Sequence, residues 1–442
     1  MQTLSLRTFS ARPLFVAAAC GLLGLFALST PCMAQSEPDE LPFEYHRTKG
    51  DNPLTRLFAQ VDAGEVSLEY DAHYGVLPAL LDALEIPVSS QGLVFSKTSL
   101  QAGRISPKNP RAIYFNDDVY IGWVQGSSLL ELSTADPHLG AAFYTIRMRP
   151  GRPYLRRENN GCLACHYLPT TQRVPGHTVR SVLTRSSGNI NSLERSFVTD
   201  HSSPFAERWG GWYVTGQLGG MQHMGNAFLE GEELVPHGEP NRQNVSSDID
   251  TSRWLSPHSD IVALMVLEHQ TYTQNTWTRA SMNVRGALKA AGEEDDSDEE
   301  TAANLQEVLQ ASAKRVVDSL LFVGESKLTA PIKGSSSFAE DFTRRGPFDD
   351  RGRSLRTFDL ETRMFRFPCS YLIYSSSFDA LEPALRERVY QQLWEVLTGQ
   401  NDAPEYSHLS PQTRSAILEI LQQTKQDLPS GWQANLLSDA GR

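Results

Sequence analysis

Apolar residues fall into three regimes along this chain. Near the start, Leu14 to Leu28 is an unbroken small and apolar run, followed by a polar, Pro-containing stretch over 35–60 that is read as an exposed lead-in. From Ile113 the pattern becomes extended: Ile113 to Phe115, Val119 to Val124, Leu129 to Leu132 and Ala141 to Ile146 are short β-rich runs. Turn residues at Asn116 to Asp118 and Gly126 to Ser128 separate the first three, so the spacing predicts a small antiparallel meander. Beyond about residue 255 the period lengthens. Ser256-Pro257 predicts a helix start, with Ile261, Leu264 and Met265 continuing toward Ala290. The acids over 293–300 read as a solvated linker, whose Ser297 to Glu300 end forms a capping box for a helix bearing Val308, Leu309, Val316, Leu320 and Leu321. Leu381, Leu385, Val389, Leu393 and Val396 share a further helical face, and Ser410-Pro411 starts another helix. The expected fold class is α+β and mainly helical: a meander-containing region over 61–250, then an all-helical region over 251–442.

The first 34 residues have the pattern of a secretory signal peptide. Arg7 and Arg12 form a positive n-region, Leu14 to Leu28 the apolar core, and Cys32-Met33-Ala34 a small-residue cleavage site before Gln35. A fifteen-residue apolar run is short for a membrane span. The expectation is therefore a chain exported to the periplasm or beyond, with no stable span once mature. Formal charge is -12, and cleavage removes two Arg and no acid, which argues against nucleic acid as a partner.

Cleavage would also remove Cys20 and Cys32, leaving Cys162, Cys165 and Cys369. The first two belong to Cys162-Leu163-Ala164-Cys165-His166, the C-x-x-C-H pattern by which haem c is attached. On a helical turn the two sulfurs lie on one side and can form thioethers to the haem vinyl groups. The adjacent imidazole then faces the iron as its proximal ligand. A thioredoxin-type motif would open a helix after an apolar strand, whereas the polar run Arg156 to Gly161 precedes this one. A structural zinc site needs a second ligand pair at compact spacing, and no second C-x-x-C exists. One covalent haem c is thus expected, with cofactor-binding residues Cys162, Cys165 and His166, and His166 as the metal ligand. Cys369 is left without a partner and reads as a buried thiol. From Arg147 to Arg185 there are eight Arg and one acid, Glu158, so the motif sits in a basic stretch suited to haem propionates or to an acidic redox partner protein.

A haem iron has a sixth position, and its occupant separates a carrier from an enzyme. The densest candidate set is Met221-Gln222-His223-Met224-Gly225-Asn226, behind glycines that permit close backbone approach. His223 is placed ahead of Met224 as the distal metal ligand, with His201, His177 and His269 as competitors.

The segment Thr199 to Asn226, together with Cys162 to His166, resembles sequences of a bacterial family of exported monohaem c-type cytochrome proteins. Tyr114 to Val124 and Phe367 to Leu381 are similar to further blocks of that family. The resemblance spans about residue 70 to about residue 430, and it implies haem binding and electron transfer rather than a particular reaction. Within it, Trp209-Gly210-Gly211-Trp212-Tyr213 either lines a haem edge or packs in the core. The expected function is single-electron transfer in the periplasm. The alternatives are a peroxidase-like haem oxidoreductase using His201 with Asp200 or His269 with Glu268, and a haem-containing sensor or accessory subunit. No catalytic residue is assigned.

Overall fold

A computed structural model of the chain describes residues 44–191, 196–293 and 299–432. The expected signal peptide and most of the acidic linker, including Ser297 of the expected capping box, lie outside the described residues. In chain order the helices are α1 (Pro53–Ala63), α2 (Leu77–Ala83), α3 (Asn160–His166), α4 (Ile261–Glu293), α5 (Glu299–Leu320), α6 (Phe338–Arg344), α7 (Ser376–Asp379), α8 (Pro383–Leu397) and α9 (Pro411–Thr424). The strands are β1 (Gly92–Val94), β2 (Arg111–Phe115), β3 (Val119–Val124), β4 (Leu129–Asp136), β5 (Gly140–Arg147), β6 (Leu155–Arg157), β7 (Arg180–Val182), β8 (Ser196–Val198), β9 (Trp212–Tyr213), β10 (Ala227–Glu230) and β11 (Glu233–Pro236).

The fold class is α+β, with the sheet in the N-terminal half and helices in the C-terminal half. The expected small meander is corrected to a seven-stranded antiparallel sheet of order β6-β5-β4-β3-β2-β1-β9. Runs β2 to β5 are the strands that periodicity revealed. The added strands β1, β6 and β9 have two or three residues each, and their extended state comes from pairing: Leu93 lies between Ala112 and Tyr213, and Ile146 opposes Leu155. Local pattern cannot signal a strand that short.

Register assigns two faces, because side chains alternate along each strand. Ala112, Tyr114, Ile121, Trp123, Leu130, Leu132, Tyr144 and Ile146 form one core with Leu54, Leu57, Phe58 and Leu77 of α1 and α2. The described part of the expected exposed lead-in is therefore packed: Tyr45 and Asn52 are buried, and Asn52 caps α1. On the opposite face, Val94, Phe115, Tyr120 and Trp212 share a core with α4 and the remaining helices. Tyr120 donates to Gln274 Oε1 (2.7 Å) and accepts from Gln270 Nε2 (2.8 Å), tying strand to helix.

The helix expected from Pro257 begins instead at Ile261. The Asp260 carboxylate accepts from Val262 N (2.8 Å) and so supplies the cap, while the Pro257 carbonyl accepts from Val245 N in a loop. Ser410 caps α9 as expected, accepting from Thr413 N, and Leu385, Val389, Leu393 and Val396 are the buried face of α8. Among the described residues, no helix is long and apolar enough to cross a membrane.

Candidate functional site

The five motif residues close α3, a helix of seven residues that follows β6. Leu163 is its one buried side chain and anchors it in the core shared with α1 and α2. Cys162 is half-buried, Cys165 is exposed, and both are free thiols. Burial, followed by the Glu158 and Glu131 carboxylates, pushes the Cys162 thiol up to about 11.

His166 is held from both sides. Its ring packs on Phe143 at 4.7 Å between centroids, and Nδ1 lies 2.8 Å from the Gly176 carbonyl oxygen. A carbonyl only accepts, so Nδ1 carries the proton, and the neutral ring presents a lone pair at Nε2. Burial holds the ring below the usual imidazole range, the Gly176 carbonyl partly opposing it. The neutral form, which is the ligating form, is thereby favoured.

The loop after α3 is built to keep that carbonyl in place. Gly176 N donates back to the His166 carbonyl (2.9 Å), and Thr171 Oγ1 donates to the Val174 carbonyl (2.8 Å) while accepting from Leu168 N (3.1 Å). Asn275 of α4 pairs with residue 177 as a strand would: His177 N donates to Oδ1 (2.9 Å) and Nδ2 to the His177 carbonyl (2.7 Å). A Cβ at position 176 would collide with the Asn275 amide, which explains glycine there.

Next to α3 the floor of the sheet is polar. Arg111 reaches across Gly122, where a Cβ would strike its guanidinium, to pair with Glu131 at 2.8 Å. Arg111 Nε, Glu131 Oε1, Arg180 Nε and His177 Nε2 are buried without a hydrogen-bond partner. Such atoms cost free energy unless something else meets them. Leu129 and Arg147, two residues along the same face from Glu131 and Thr145, border an open hollow with Leu100, Gln101 and Arg104.

Of the remaining candidates only His177 adjoins the motif. His177 is buried against Tyr120 (4.3 Å) and Phe143 (6.0 Å), the ring that also holds His166, and burial followed by His166 drives it down to about 3. His223 rests on Trp209 (5.5 Å) with its Nδ1 buried and unpartnered, and burial holds it down to about 4. Met224 Sδ accepts from Ser181 Oγ at 3.6 Å inside a small cluster with Leu183 and Leu229. Their loop is tied to the far edge of the sheet, since Asn226 N donates to the Trp212 carbonyl and Asn226 Oδ1 accepts from Val214 N. No hydrogen bond or ring contact joins His223 or Met224 to His166.

His201 and His269 form a separate cluster. Their Nδ1 atoms are 3.2 Å apart, and His269 Nε2 is 2.8 Å from Ser370 Oγ. Glu268, the other half of the expected acid–base pair, is buried against Arg208 at 3.0 Å. Trp209, Trp212 and Tyr213 are all core residues, and Trp212 Nε1 donates to the Arg180 carbonyl (2.8 Å). Cys369 is buried, its thiol pushed up by burial to about 12. Among the described residues, no group of three or more His, Cys, Asp and Glu side chains is arranged to hold a metal ion.

Sequence reasoning missed Phe143, Gly176, Asn275 and the Arg111–Glu131 pair. Only Pro175-Gly176 carried a signal, as a turn. No protein-family model, curated protein or solved structure matches this chain.

Proposed function

We propose that this chain is an exported c-type cytochrome, bearing one haem on Cys162 and Cys165 and passing single electrons to and from a partner protein. The observation that carries the reading is the imidazole of His166: its Nδ1 is committed to the Gly176 carbonyl while, among the described residues, no hydrogen bond engages Nε2. Metal-ligating histidines are held in this way, with the far nitrogen fixed by a carbonyl or carboxylate. Two free thiols, Cys165 immediately before that ring and Cys162 about one helical turn earlier, complete the donor set. The unpartnered Nε donors of Arg111 and Arg180 fit a group that brings its own carboxylates, whereas Glu131 Oε1 does not. When bound, the haem supplies a one-electron Fe(III)/Fe(II) couple.

Within this reading the chain has three tasks. Cys162 and Cys165 would fix the group and His166 Nε2 would ligate its iron, while the Asn275 clamp on residue 177 keeps the Gly176 carbonyl aligned. His223 remains ahead of Met224 as the residue that would offer a second ligand, since its Nδ1 is unused whereas the Met224 sulfur is engaged by Ser181, but its loop is tied to the β9 edge of the sheet and would have to move to reach a group held at His166. The enzyme alternative draws no support from His201 and His269, which spend their Nδ1 nitrogens on each other.

The test is a redox titration of the full chain made where haem can be attached. One electron per chain and a c-type reduced band are expected. His223→Ala should turn a low-spin ferric spectrum high-spin and admit carbon monoxide, with Met224→Ala leaving it low-spin; the reverse transfers the role to Met224, and no change in either passes it to His177.

A further inference from the structure

Beside α3 three arginines from three different elements converge. Gln172 Nε2 donates to Thr276 Oγ1 (2.9 Å), which brings the loop bearing Arg173 against α4, one turn from Arg279. Trp277 Nε1 donates to Ser319 Oγ (2.9 Å), which sets the register of α4 against α5 and puts Arg315, one turn before Ser319, level with Arg279. Arg173 and Arg315 are exposed and Arg279 is half-buried. Arg279 is held below the usual guanidinium range by burial, with Arg315 and Arg173 adding to the effect and Tyr167, which closes α3, opposing it. Among the described residues none of the three makes an ion pair, although acids exceed bases by twelve in the whole chain. Nearby Lys314, by contrast, is paired with both Asp318 and Glu405.

Three like charges held together are mutually repulsive, and this chain has carboxylates in surplus with which it neutralises other surface cations. Their survival next to Leu168, Pro169 and Cys165, all exposed, marks a basic face at the attachment helix of an acidic protein. We infer that Arg173, Arg279 and Arg315 form the docking face for an acidic redox protein, which delivers or removes the electron at α3. This rests on the proposed haem at Cys162 and Cys165. Charge complementarity of this kind chiefly raises the rate of productive encounter and fixes orientation. It also opposes the repulsion that net charge would impose on an anionic partner.

The test uses the haem-bearing full chain and two small probes of opposite charge. Ferricyanide takes one electron from the reduced protein and becomes ferrocyanide. Hexaammineruthenium(III) takes one electron and becomes the ruthenium(II) ion. If electrons leave through the basic face, the ferricyanide rate falls about tenfold as ionic strength rises from about 0.01 M to about 0.3 M, despite the negative net charge. The ruthenium rate rises over the same range. Arg173→Gln combined with Arg315→Gln should abolish or invert the ferricyanide dependence, and the corresponding lysine pair should restore it. Arg351→Gln, which makes half the change in net charge at a site paired with Glu419, should leave it in place. Both exchanged residues are exposed, so folding is little at stake. A wild-type ferricyanide rate that rises with salt, or a dependence that survives the double variant, overturns the inference while leaving the haem reading intact. A chain that carries no covalent haem fails the reading itself.

Discussion

His166 and His269 are both imidazoles without a charged partner, yet the protein treats them in opposite ways. His269 sits inside α4, fully buried, with Nδ1 against His201, Nε2 against Ser370 and its ring stacked on Phe322 at 4.1 Å. Every polar atom is spent on holding the core together, and burial keeps the ring neutral. His166 ends a short helix at the surface, with one nitrogen committed to a backbone carbonyl, and its flanking thiols are half-buried and exposed. A satisfied histidine belongs to stability. A half-satisfied one, aligned at some structural cost by Asn275 and Gly176, has a lone pair to offer. The difference lies in the partners and not in the residue.

The sharpest way to break this contrast starts beside His269. Arg208→Leu would leave Glu268 buried and unpaired, and should cost about 3–5 kcal/mol in urea unfolding. Next, His269→Ala should cost about 2–4 kcal/mol, because it opens a cavity and strips partners from His201 and Ser370. Its optical spectrum should stay that of the wild type. His166→Ala should show the converse, with a changed iron spectrum and a smaller loss of about 1–2 kcal/mol, from the Phe143 contact and the Gly176 hydrogen bond. If the two variants exchange these outcomes, the assignment of roles is wrong.

A pH experiment separates burial effects in the helical half from the motif. Glu325 accepts from Met364 N (2.8 Å), and burial, partly opposed by that bond and by Arg363, raises its carboxyl to about 7. The folded value lies above the unfolded one, so the native state holds more protons between the two. Stability from this group is present below about pH 4.5 and is lost as pH rises through about 7, at up to about 1.4 kcal/mol per pH unit. Glu325→Gln should flatten that part of the stability–pH curve. An unchanged slope would show that Glu325 ionises in the fold as it does in the unfolded chain. The smallest effect is expected at Cys369: Cys369→Ala should cost about 1 kcal/mol. A thiol reagent should label position 369 only after unfolding, and prompt labelling of the native chain would place it at the surface.

Much of the helical half was legible because its signals are local. Ser410-Pro411 opens α9, and the i, i+4 spacing of Leu385, Val389, Leu393 and Val396 appears as a buried face of α8. Four central strands were readable for the same reason. The sheet's extent was not, since β1 and β9 pair with each other across about 120 residues and β6 is defined by the β5 edge beside it, and neither leaves a period in the sequence. The start of α4 was misplaced because Ser256-Pro257 imitates a cap that Asp260 supplies. At the candidate site the motif residues were plain from their spacing. The atoms that tune them were not, because the Gly176 carbonyl is backbone and Asn275 reaches it from α4.

The central claim is that Cys162 and Cys165 carry a covalent group that His166 ligates. It is checked by the intact mass, under denaturing conditions, of the chain exported where haem can be attached and cleaved before Gln35. The expected mass is that of the cleaved chain plus one haem, with the addition lost in the Cys162→Ser, Cys165→Ser double variant. A mass equal to the polypeptide alone, with both thiols free to react, would contradict it.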